Sequence, residues 1–162
     1  YEQRERLIEL INNYATVLVS DEAVENDERE RTARGYNIHP ALMHSVLSEA
    51  DLLVADTQTM ITEAALLGTP SIRSNSFVGE SDMGNFVELE NKGLVRNHQR
   101  FKDVLKSSEE ILESSAAQER WAQSAKNHIL EMSNVTQIIV DLATSDMSNP
   151  TQIEGIYKAR DR

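Results

Sequence analysis

The chain has 162 residues, 16 basic and 27 acidic side chains, a formal net charge of −11 and no cysteine. That length fits one ordinary domain or one half of a larger enzyme, and the missing thiols exclude disulfides, a thiolate nucleophile, thiolate-bound zinc and iron–sulfur clusters. So acidic a chain has no general attraction for nucleic acid or anionic lipid; with no apolar run near the roughly 20 residues of a membrane span and no signal-peptide pattern, the cytoplasm is the expected compartment.

Leu7, Ile8, Leu10, Ile11 and Tyr14 recur at helical spacing against Glu2, Arg4, Glu5, Arg6 and Glu9, which predicts a first amphipathic helix. Residues 15–20 are apolar and β-branched and read as a strand covered on both faces. Residues 21–30 carry six acids to one base, a solvated loop or helix start, and a short strand is expected at Tyr36-Asn37-Ile38. Pro40 sits where a helix needs no N–H and opens a second helix with a stripe of Leu42, Met43, Val46, Leu47 and Ala50. Residues 51–55 form a buried strand ending at Asp56, residues 57–67 a helix closed by Gly68, and residues 69–73 a third main strand. Strands alternating with helices of this length argue for right-handed crossovers and a parallel sheet, so the class is α/β.

Residues 74–84 are polar and read as a long loop, often functional in compact domains. A short helix over 86–92, an edge strand at Gly93-Leu94-Val95 and helices over 101–113, 116–132 and 135–143 follow. Residues 1–143 are expected to form the domain, and residues 144–162 a polar tail or docking segment.

Ligands of open parallel sheets collect at the carboxyl ends of strands, beside the amino ends of the helices that follow. Residues 55–63 form such a junction, and unpaired N–H groups at a helix start suit phosphate. Thr57 and Thr59 add hydroxyls, and Glu63, four residues past Thr59, shares its helix face. A carboxylate there could accept hydrogen bonds from both hydroxyls of a ribose. The same residues also fit a plainer reading, with Thr57 as a helix cap and Glu63 as a solvated acid. His39 is open between local capping and ligand contact. Asp56 is expected to bond the turn amides, His44 to pack beside Met43 and Leu47, His98 and His128 to lie on the surface, and Trp121 to anchor packing. His39 and His44 share no helix face, so a two-histidine metal site is not expected, and there is no P-loop, nucleophile elbow or metal triad.

The stretch Ala50-Asp51-Leu52-Leu53-Val54-Ala55-Asp56-Thr57-Gln58-Thr59-Met60-Ile61-Thr62-Glu63-Ala64-Ala65-Leu66-Leu67-Gly68-Thr69-Pro70-Ser71-Ile72-Arg73 resembles the C-terminal half of the GT-B superfamily. It is most similar to an uncharacterised archaeal and bacterial family related to UDP-N-acetylglucosamine 2-epimerases and lipid-A-disaccharide synthase. Ile38-His39-Pro40, Met43-His44 and Gly93-Leu94 fit the same family, and the likeness is dense over residues 36–96.

The resemblance implies a Rossmann-like parallel sheet flanked by helices, a single GT-B-type half, with extra C-terminal helices. It implies that Thr57, Gln58 and Thr59 sit at the diphosphate of a nucleotide sugar, Glu63 at the ribose, His39 with its neighbours near the base, and Arg73 where an arginine closes the site. The nucleotide sugar is then the substrate, with no separate cofactor or metal, and the missing partner is an N-terminal half that supplies catalytic groups; a homodimer stays open. Transfer and epimerisation both stay open. The turn reads Asp-Thr-Gln-Thr where epimerases carry a serine and two glycines, Ala64 replaces a second glutamate, and the threonine–glutamate–arginine–proline run after Arg73 is absent. The alternative is a non-catalytic binding or assembly module that keeps the half-fold.

Overall fold

The computed structural model describes residues 2–19, 34–35, 38–79 and 82–145. The chain divides into two compact units, residues 1–128 and residues 129–162.

In the first unit, α1 (Glu2–Ile11) is followed by β1 (Leu18–Val19), which pairs in parallel with β2 (Arg34–Gly35). Both strands are two residues long, and Leu18 is exposed, so the continuous strand expected over 15–20 is not formed and is not covered on both faces. The loop expected over 21–30 and residues 36–37 of the next expected strand lie outside the described residues, and Ile38 is in no strand.

The second helix begins as a 3-10 turn, Pro40–Leu42, with Pro40 in its first turn, and continues as α2 (Met43–Ser48). Of its expected stripe only Leu47 is fully buried, and Leu42 points to solvent. A helix this short buries one side chain against α3 (Gln58–Leu67), not a whole stripe.

β3 (Leu53–Ala55), β4 (Ser71–Ser74) and β5 (Arg96–His98) form a parallel sheet in the order β3-β4-β5. The three strands are linked through α3 and α4 (Gly84–Asn91), as the alternating pattern requires. Ala55 lies opposite Arg73, and Arg73 opposite Asn97, so these three share a sheet face; Val54, Ile72 and Arg96 share the other.

Each face has its own core. Leu53 and Ala55 pack with Ile61 and Ala65 of α3, Phe86 and Leu89 of α4, and Leu94 and Val95. Leu52, Val54 and Ile72 pack with Val104 and Ile111 of α5 (Phe101–Leu112), with Leu7 of α1, and with Trp121 of α6 (Ala117–Glu131). Trp121 is the packing anchor expected of it, and its Nε1–H donates to the Leu94 carbonyl at 3.0 Å. The fold is mixed α/β, a three-strand parallel sheet with helices on both faces.

Two glycines end helices in the left-handed conformation. Gly68, at φ 85°, closes α3, and a Cβ there would meet the Ala122 Cα at 2.9 Å, so the position needs both the dihedral and the missing side chain. Gly93, at φ 70°, closes α4, with Leu94 N–H reaching back to the Leu89 carbonyl at 2.8 Å. Residues 93–95 thus complete a helix end, and the strand expected there starts later, at Arg96.

In the second unit, α7 (Val135–Thr144) is capped by Asn134, whose side chain accepts from Gln137 N–H at 3.0 Å. Residues 146–162, most of the expected tail, lie outside the described residues. Among the described residues no helix is long and apolar enough to cross a membrane.

Candidate functional site

All three strands of the sheet run the same way, so their carboxyl ends open at one edge, where the β3–α3 junction lies. Thr57 is the residue before α3, in extended conformation (φ −78°, ψ 148°), and its side chain makes no cap hydrogen bond. The first turn of α3 carries no acidic residue. Its leading N–H groups therefore keep their partial positive charge, about half a unit for a helix end, without a side chain to neutralise it. Thr57, Gln58 and Thr59 are all exposed. The plain reading of Thr57 as a side-chain cap is not what forms.

Asp56 does not bond the turn amides as expected. Its contribution comes from the backbone: the Asp56 carbonyl accepts from Asn75 Nδ2 at 3.1 Å. In a planar trans peptide the carbonyl and the following N–H point in opposite directions. Drawing the Asp56 carbonyl toward Asn75 therefore turns the Thr57 N–H away from Asn75. Asn75 is itself fixed, since its N–H donates to the His98 carbonyl at 3.2 Å and its Oδ1 accepts from Phe77 N–H at 2.9 Å. Gln99 Nε2 ties the same loop down by donating to the Ser76 carbonyl at 3.2 Å and to the Val78 carbonyl. The end of β3 is thus held in place by the ends of β4 and β5.

Glu63 lies one turn into α3, four residues past Thr59, and its side chain is 37% exposed. It faces His44 of α2, with 3.4 Å between His44 Nε2 and Glu63 Oε2, and the His44 side chain is 70% exposed. His44 was expected to pack beside Met43 and Leu47. Instead only Leu47 is buried, and His44 turns toward α3. His39 caps the 3-10 turn, its Nδ1 accepting from Ala41 N–H at 3.2 Å. That bond needs a bare Nδ1, so the neutral ring carries its proton on Nε2 and is left with a donor.

Arg73 is buried on the sheet face shared with Ala55 and Asn97. Its Nη1 and Nη2 donate to the Asp82 carboxylate at 2.7 and 3.0 Å, and Nη1 also to Asn97 Oδ1 at 3.2 Å. The two ionic side chains are 1% and 4% exposed. The guanidinium lies 3.8 Å over the Phe86 ring, where its Nε has no hydrogen-bond partner among the described residues. The Arg73 guanidinium holds the Asp82 carboxyl below the usual carboxylate range. Asn97 Nδ2 continues the network to Glu90 Oε2 at 3.1 Å. Pairing of Arg73 with a phosphate would thus require displacing Asp82, a competition the sequence alone does not reveal.

Neither of the other histidines is a surface group. His98 is half-buried, with Nε2 2.7 Å from Ser107 Oγ, and burial pushes its pKa down. His128 is buried. Among the described residues no three His, Asp or Glu side chains converge as metal ligands would. The structure therefore brings Thr57, Gln58, Thr59 and Glu63 together on one helix start, sets His44 beside Glu63, and puts Arg73 inside.

Sequence reasoning set His44 beside Met43 and Leu47 instead of Glu63, and it singled out neither Asn75 nor Asp82. Asn75 and Asp82 sit in a stretch read only as a polar loop; a signal for Asp82 was the buried arginine position nine residues before it.

No protein-family model matches the chain. No curated protein matches it in sequence. Among solved structures the chain is similar to the crystal structure of the glycotransferase of kitacinnamycin, with a TM-score of 0.52 and 17% identity over 79% of this chain. The match takes in 36% of that protein, so the chain spans about a third of its length. At this identity the likeness shows the fold alone, a Rossmann-like α/β unit shared with part of a glycosyltransferase.

Proposed function

We propose that the chain is the donor-binding half of a sugar-nucleotide enzyme, glycosyltransferase-like or epimerase-like, holding a nucleoside diphosphate sugar at residues 56–63. The observation that carries this reading is the uncapped start of α3 at the carboxyl end of β3, with a half-exposed carboxylate one turn further in. The leading amides of α3 with the hydroxyls of Thr57 and Thr59 suit the diphosphate, Glu63 the ribose hydroxyls, and the His39 Nε2–H the base. The shared fold with a glycotransferase supports the class of ligand, and the resemblance of residues 50–73 supports the order of contacts.

The role is to bind and orient. The groups that would act on the sugar are expected from an N-terminal half, and Arg73, already neutralised by Asp82, shapes the sheet end instead of contacting phosphate. That same pairing favours the second reading, an assembly module that keeps the fold without the ligand.

The test is a titration of the full chain with UDP, GDP and ADP, followed by calorimetry. Saturable binding of at least one, weakened tenfold or more by Glu63→Ala with unchanged thermal stability, is expected. Absence of binding of all three at millimolar concentration would favour the assembly module.

A further inference from the structure

We propose that His44 is a positioning residue that orients Glu63 to select ribonucleotides over nucleotides lacking the ribose hydroxyls; this rests on the donor-site reading above. A glutamate side chain on an exposed helix face samples several rotamers, and a carboxylate that must meet two vicinal hydroxyls is effective in few of them. His44 Nε2 stands 3.4 Å from Glu63 Oε2, on a neighbouring helix that packs against α3. At that ion-pair distance the ring sits against the Oε2 side of the carboxylate and leaves Oε1 to accept from a diol.

The pair has no structural duty that would explain it. Both side chains reach solvent, and ion pairs so exposed contribute little to stability. Neither residue is a helix cap, and the Glu63 side chain has no hydrogen-bond partner among the described residues, only the His44 contact. The contact joins the α2 face to the helix that starts at the strand end, so its position matches selection of a ligand better than support of the fold.

The experiment compares UDP with 2′,3′-dideoxyuridine diphosphate on the full chain, by calorimetry and by amide shifts. The wild type is expected to favour UDP about tenfold. His44→Ala should cut that preference to under threefold by weakening UDP alone, and His44→Gln, which offers an amide N–H at a similar reach, should restore most of it. Melting temperatures should stay within a degree or so of wild type, because exposed pairs of this kind add little. If His44→Ala keeps the wild-type preference while Glu63→Ala abolishes it, the positioning role is overturned and the donor site stands. If wild type shows no preference, or Glu63→Ala leaves it intact, the ribose contact itself is wrong and the inference goes with it.

Discussion

At the end of β4, Arg73 meets two oxygens of Asp82 and one of Asn97, and both charges are buried. At the end of β3, on the neighbouring strand, Thr57 offers no cap to α3, and Thr57, Gln58 and Thr59 stand in solvent. One polar group is closed by the chain's own side chains and the other is left open. A buried guanidinium without a partner would destabilise the fold, so it must be satisfied internally. Exposed amides can be satisfied by water at little cost, and by an anion when one is present. Stability therefore belongs to the first region, and the second is the one the donor-site proposal assigns to recognition.

The largest effect is expected at the closed region. Arg73→Met leaves the Asp82 carboxylate buried without its partner and should cost about 3–5 kcal/mol in urea unfolding. Adding Asp82→Leu should recover much of that loss, because the double variant has no orphan charge. A double variant no more stable than the single would mean that the pair is not the source of the effect. Gly68→Ala comes next. The left-handed dihedral costs a residue with a Cβ about 1–2 kcal/mol, and the Ala122 backbone at 2.9 Å adds to it. Thermal unfolding checks the sum, and an unchanged melting temperature would contradict the close approach of α6.

Acid should act in two stages, first at His98 on the opposite sheet face and then at the closed region. Burial lowers the His98 pKa, so its contribution to stability is complete above about pH 6.5 and is lost as the pH falls from there toward the folded value. Asp82 is also lowered, by the hydrogen bonds from Arg73 first, so its contribution holds above the ordinary carboxylate value near 4 and is lost as the pH falls through the folded one. Unfolding free energy measured against pH should show both declines, and His98→Asn should remove the upper one. The smallest effect is expected at the open region. Thr57→Ala should change stability by under about 0.5 kcal/mol, against roughly 1 kcal/mol for loss of a working cap, while still weakening nucleotide binding.

The parallel α/β class was legible because the strand at 53–55, the helix at 58–67 and the strand at 71–74 each carry an unambiguous pattern, with Gly68 marking the helix end. Residues 15–20 misled because an apolar β-branched run does not fix where pairing begins, and among the described residues it begins only at Leu18. Gly93-Leu94-Val95 misled because Leu94 and Val95 are buried by a helix end, which looks the same as a short strand in the sequence. The junction at 55–63 could be located from strand and helix endings. The state of Arg73 could not, since pairing with Asp82 depends on a loop closing back over the sheet face, and loop geometry is not encoded in a local period. His44 was misplaced for a related reason: a six-residue helix has too few turns for its pattern to fix which side faces the core.

The most direct measurement follows the backbone amides of Gln58, Thr59 and Met60 by NMR while UDP is added to the full chain, with uridine as the control. An open helix start predicts large, saturable shifts with the diphosphate and none with the nucleoside. Amides that stay unmoved at millimolar UDP, GDP and ADP alike would contradict it.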